Sequence, residues 1–138
     1  MAYSIQGTEY FRGTIPVGPE EAYRFLSTLA ELGVNLQAFT AVPSGPDQVQ
    51  LTLFPEDPGL LSAETRRAGL ALEGPYSAIL VRGDDELGAL AKVHRRLARA
   101  SIPIYASTGM AAGAGAFGYL VYVKEDQFTE AMAALEAE

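Results

Sequence analysis

The chain has 138 residues and no cysteine, with 49% apolar and 20% charged side chains. That composition fits a globular chain with a real core and excludes disorder, a disulfide framework and any cysteine-ligated metal site. Seventeen acidic against ten basic side chains give a net charge of −7, which repels a phosphate backbone and argues against a nucleic-acid partner. The opening Met1-Ala2-Tyr3-Ser4-Ile5-Gln6 has neither a basic stretch nor an apolar run, so no signal peptide is expected. The longest clean apolar run, Ala78-Ile79-Leu80-Val81, is strand-sized, far short of the ~18 residues of a membrane helix. No membrane contact and a cytoplasmic location are the expectations.

In chain order, Tyr10–Ile15 reads as a strand closed by Pro16 and Gly18-Pro19. A helix is expected from about Pro19, with Glu20 and Glu21 suited to its N-terminus. Ala22, Phe25, Leu26, Leu29 and Leu32 follow the helical period, and Gly33 ends it. Val34–Thr40 is read as a strand and Pro43–Asp47 as a turn; Val49, Leu51 and Leu53 alternate with polar residues as in a half-buried strand. A weaker helix is expected over 60–68, closed by Gly69, then a strand Leu70–Glu73 and a Gly74-Pro75 turn.

The pattern then repeats. Ser77–Val81 is a strand, Gly83–Glu86 a turn with an N-cap, and Leu90, Val93 and Leu97 the stripe of a helix ending near Ala100. Ile102–Tyr105 starts a strand, with Pro103 marking an edge or bend. A Gly/Ala-rich hairpin leads into the strand Phe117–Val123, and the last helix, about 126–136, carries Phe128, Met132 and Leu135. Leu29, Ala30, Val34, Leu36 and Ala38 fall on Leu97, Ala98, Ile102, Ile104 and Ala106, each 68 positions on; past the hairpin the offset is 69. Each copy follows the ferredoxin-like βαββαβ order. The expected fold is α+β, with two ferredoxin-like units in tandem, 1–73 and 74–138, forming a side-by-side antiparallel sheet with helices on one face. The second unit lacks a last strand, which the N-terminal Ile5 region is one candidate to supply. Helices on one face leave the other face exposed and partly apolar, so a homodimer or higher oligomer is expected.

The segment Val81-Arg82-Gly83-Asp84-Asp85-Glu86-Leu87-Gly88-Ala89-Leu90 resembles the strand–loop–helix opening of an ACT domain. Gly88 and Leu90 match that family's pattern, and Leu87 replaces its proline. Leu32-Gly33-Val34-Asn35-Leu36 resembles the family's helix end and second strand. The resemblance spans the chain as two ACT-like units. It implies a non-enzymatic regulatory protein without a cofactor, with an amino-acid effector bound between units and a regulated enzyme as partner. The ligand-binding residues it implies are Asp84, Asp85, Leu87 and Gly88 of one unit, and Asn35 and Leu36 of the other. Physically, a helix N-terminus attracts a carboxylate, a glycine admits close approach, and an Asn amide both donates and accepts. Asn35 has Pro103 as its counterpart, and the first loop reads Pro19-Glu20 where the second reads Leu87-Gly88. One competent site is expected, with Gly88 facing Asn35; the opposite one, from Gly18, Pro19 and Pro103, is degenerate. These residues also have a structural reading: Gly88 for helix–sheet packing, Asn35 as a turn residue, Asp84 and Asp85 as N-caps.

Other motifs point away from chemistry. Gly113–Gly118 matches G-x-G-x-x-G, but a strand follows where the dinucleotide fingerprint needs a helix. Asp84-Asp85-Glu86 is read as capping rather than cation binding. Lys92, Arg95, Arg96 and Arg99 are read as a solvated helix face. His94, the only histidine, is read as structural or solvent-facing. Two alternatives remain. One is a protein-interaction module without ligand. The other is an enzyme on the same fold, which requires a pocket within one unit where His94, Tyr105, Tyr119 and Tyr122 converge.

Overall fold

A computed structural model describes residues 3–137. The elements are β1 (Tyr3–Pro16), α1 (Glu21–Glu31), β2 (Leu36–Pro43), β3 (Gln48–Pro55), α2 (Pro58–Ala68), β4 (Glu73–Asp84), α3 (Ala89–Arg99), β5 (Ala106–Gly113), β6 (Ala116–Tyr122) and α4 (Phe128–Glu136). The chain forms two compact units, one of Glu9–Tyr76 and one of 3–8 with 77–137. Sequence reading places the units at 1–73 and 74–138. The strands β1 and β4 each give one part to either unit, so the boundary falls inside strands rather than in a turn.

In the Glu9–Tyr76 unit the strand order is β2-β3-β1-β4, the antiparallel ferredoxin-like arrangement. Period-2 alternation puts Leu51 and Leu53 of β3 inward, where they meet Phe11, Leu29, Val34 and Leu61, all buried. Fully burying side chains of this size is worth about 1.5–3 kcal/mol each. Helix α2 starts at Asp57, whose carboxylate accepts from the Leu60 amide at 3.1 Å. On the opposite face Tyr10 packs on Phe54 and Tyr76, with ring centroids 5.3 and 5.5 Å apart, and Phe54 is fully buried. An aromatic cluster thus occupies part of this face.

In the second unit the order is β5-β6-β4-β1, so Tyr3–Thr8, as the Ile5 region was expected to, supplies the strand beside β4. The Tyr3 side chain is buried and its hydroxyl donates to Leu135 O at 2.9 Å, tying this strand to α4. The core gathers Ile79, Val81, Val93, Leu97, Val121 and Leu135, all with no exposed surface. Phe128 and Met132 pack against it, completing the helical stripe.

Several local expectations are corrected. Residues 70–72 are not a strand, and Gly74-Pro75 lies within β4 rather than in a turn. Residues 102–105 are irregular, and the strand begins only at Ala106; Pro103 has no N–H to give a ladder. Most of the Gly/Ala-rich stretch is β5, with the reversal confined to Ala114-Gly115. Asp84 and Asp85 do not cap α3, whose N-cap is Gly88. Asp84 pairs with Ala116 in the ladder, and the Asp85 amide donates to Gly115 O at 2.7 Å. Among the described residues no helix is long and apolar enough to cross a membrane.

Candidate functional site

Strand β4 delivers the acidic loop to the start of α3. Gly88, at the N-cap, has φ +81°, a left-handed conformation that glycine adopts without strain. It offers no capping side chain; the Ala89 amide donates to Glu86 O at 3.1 Å, while the Leu90 and Ala91 amides, which lack intrahelical acceptors, find none among the described residues. An ideal Cβ on Gly88 would meet nothing within 4 Å. The glycine therefore leaves open space and serves no close packing. Beside it lies a pocket of about 600 Å³, within the size range of small-molecule sites.

Two walls define this pocket. One is the loop with its helix start: Asp85, Glu86, Leu87, Gly88 and Leu90. The other is Gly109, Met110 and Ala111 of β5, with Phe117 of β6. Leu87 is fully exposed and Met110 is 74% exposed, whereas Phe117 is buried. A Cβ on Gly109 would stand 3.0 Å from Tyr119 Cδ1 and 3.5 Å from Leu90 Cδ1, so a small residue here sets how near α3 lies to β5. Lys92 pairs with Glu86 at 3.0 Å. The Asp85 carboxylate appears in no ion pair among the described residues.

The structure thus brings Asp85, Leu87 and Gly88 together at one pocket. Asp84 ends β4 one residue before it. Asn35 and Leu36 belong to the other unit. There Asn35 Nδ2 donates to Glu56 Oε1 at 2.9 Å and the Glu56 amide donates to Asn35 O at 3.0 Å. Leu36 packs against that unit's core. The loop read as degenerate is built differently: Glu20 sits at the N-cap of α1 and its carboxylate binds Arg24 at 2.8 Å. The β5 wall was missed in the sequence because a run of Ala, Ser, Thr and Gly has no hydrophobic alternation to mark it.

The basic face of α3 is partly engaged. Arg96 donates to Leu135 O at 3.1 Å and lies over the Tyr3 ring at 5.3 Å. His94 Nε2 and the buried Tyr119 hydroxyl are 2.5 Å apart, and His94 and Tyr105 line a pocket of about 430 Å³ within the same unit. Two of the four residues that the enzyme reading needs meet directly. Tyr119 is 4% exposed, and its hydroxyl is taken by His94.

No family model and no curated protein matches the sequence. Solved structures do. Protein BT0572 from Bacteroides thetaiotaomicron is similar with a TM-score of 0.82 at 15% identity, over 96% of this chain and 88% of that one. The ligand-free regulatory subunit of aspartate kinase from Thermus thermophilus gives 0.63 at 15% identity, over 98% and 95%. A structure of aspartokinase alpha and beta subunits gives 0.57 at 18% identity, over 98% and 95%. At such identities the likeness is one of fold.

Proposed function

We propose that the chain is a regulatory protein that binds an amino-acid effector in the pocket at Gly88. The observation that carries this reading is the open space beside a left-handed glycine at a helix start, walled by a β-strand. The effector carboxylate meets the Leu90 and Ala91 amides in the first turn of α3, its ammonium is offered Asp85, and its side chain lies toward Leu90, Met110 and Phe117. The resemblance of the loop to ACT domains and the shared fold with an aspartate kinase regulatory subunit both support this role. The protein acts on a separate enzyme chain in the cytoplasm, and does no chemistry itself. Asn35 and Leu36 are a separate part of the proposal, tested by Asn35→Ala, which weakens effector binding if the carboxamide takes part.

The protein works as a homodimer. All eight residues of β5 are exposed, none is charged or proline, and among the described residues the strand pairs only with β6. Edge strands usually carry charges or prolines that prevent pairing, and β5 carries neither. Antiparallel pairing of two copies would be self-complementary.

The test is a thermal-shift screen against the twenty amino acids. A ligand at a hundred times its dissociation constant adds about 2.7 kcal/mol, a shift of several degrees for a chain of this size. A hit that disappears in Gly88→Asn supports the site. A flat screen favours an interaction module without ligand, and a hit that survives Gly88→Asn but is lost in His94→Ala favours the pocket at His94.

A further inference from the structure

A second cavity, of about 390 Å³, opens in the Glu9–Tyr76 unit beside β1. Its polar lining is Arg12, Thr14, Gln50 and Glu73, and its apolar wall is Ala71 and Leu72. Arg12 and Thr14 stand two residues apart on one strand and so share a face. Thr14 is directly opposite Gln50 in the β1–β3 ladder. Their neighbours Phe11 and Ile15 go to the core on the other face.

Arg12 is held but not satisfied. Its guanidinium lies over the Tyr76 ring at 4.7 Å, a cation–π contact. Its Nε is buried and has no hydrogen-bond partner among the described residues, a state that is costly for a charged donor. Glu73 lines the same cavity and accepts one long bond, from the Tyr76 hydroxyl at 3.4 Å. Among the described residues Arg12 and Glu73 form no ion pair with each other or with any other group, whereas Arg24, Arg67 and Lys92 each have a carboxylate partner. Two opposite charges therefore line one cavity, with a gap between them.

We propose that this cavity is a second small-molecule site, distinct from the Gly88 pocket, and that it takes a small zwitterion. The ligand carboxylate sits on the Arg12 fork, a planar match that lysine does not offer. The ammonium faces Glu73. Thr14 and Gln50 contribute a hydroxyl and an amide, and Ala71 and Leu72 leave room for a short apolar side chain. Neither charge of such a ligand is left unpaired, which a simple anion or amine does not achieve here.

The experiment is a ¹H–¹⁵N titration of the full chain with L-alanine, and with propionate and ethylamine, which each carry one of its two charges. Saturable shifts of Arg12 Nε–H and of the Thr14 and Gln50 amides with L-alanine, at least tenfold weaker with propionate and with ethylamine, are expected. Arg12→Lys and Glu73→Gln, each checked for a native spectrum, reduce L-alanine affinity at least tenfold, while Gly88→Asn leaves it unchanged. No saturable shift at Arg12 up to about 100-fold excess, or a shift that Arg12→Lys does not weaken, overturns the site. Equal affinity for propionate and indifference to Glu73→Gln overturn the zwitterion. Loss of shifts at the Gly88 pocket alone leaves this site standing, so the two readings fail separately.

Discussion

Gly88 and Gly74 both have positive φ, but their surroundings are opposite, and substituting each separates conformational strain from steric overlap. At Gly88, φ is +81° and an added Cβ meets nothing within 4 Å. Alanine there bears only the left-handed penalty, about 1–2 kcal/mol, partly offset by about 0.4–1 kcal/mol from a less flexible unfolded chain. The net loss is about 1 kcal/mol. At Gly74, φ is +138° and the Cβ would stand 2.9 Å from Tyr10 O, 2.9 Å from Phe11 Cδ2 and 3.2 Å from Phe11 Cα. Two of those atoms, Tyr10 O and Phe11 Cα, are β1 backbone and cannot rotate aside. A strained backbone costs about 1–3 kcal/mol and forcing packed atoms apart about 1–3 more, so Gly74→Ala loses about 2–6 kcal/mol before the same unfolded-chain offset. Urea unfolding followed by circular dichroism reads the difference. With a slope of about 1–3 kcal/mol per molar, the Gly74→Ala midpoint falls about 1 M or more below that of Gly88→Ala. Coincident midpoints would refute the reasoning. Tolerance at Gly88 also means that Gly88→Asn, whose side chain accepts the left-handed region, stays folded while it fills the pocket.

Asp57→Ala removes the carboxylate that caps α2 and is expected to cost about 1 kcal/mol in the same urea assay. Leu97→Ala opens a hole at a position with no exposed surface and is expected to cost about 2–5 kcal/mol, with loss of amide protection in α3. Thr108→Lys places a charge on the open strand β5, which disfavours edge pairing; sedimentation is expected to show a dimer for the parent chain and a monomer for the variant.

The sequence was most legible where side-chain size marks a period. The stripe Phe25, Leu29 and Leu32 and the alternation of Val49, Leu51 and Leu53 both point into the core as read. The offset between copies carries the repeated element order, and with it the ferredoxin-like class. Legibility failed where side chains are small or where a backbone partner decides. Ala106–Gly113 is a full strand, yet its residues look like a loop because little volume distinguishes one face from the other. Residues 70–72 have strand-like composition, but the ladder of β4 starts only at Glu73. Of the candidate site, Gly88 was readable through the resemblance of the Val81–Leu90 segment to the opening of an ACT domain. The wall of Gly109, Met110 and Ala111 was not, since only the β5–β6 register brings it to the loop. Arg12 carried no motif at all; its unpartnered Nε is a property of the fold.

The most direct test of the central claim is a ¹H–¹⁵N titration of the intact chain with the twenty amino acids, read at the amides of Asp85–Ala91 and Gly109–Ala111. At least one amino acid is predicted to give saturable shifts at both walls, abolished in Gly88→Asn. If no amino acid moves those amides, or the shifts survive Gly88→Asn unchanged, the Gly88 pocket is not the effector site.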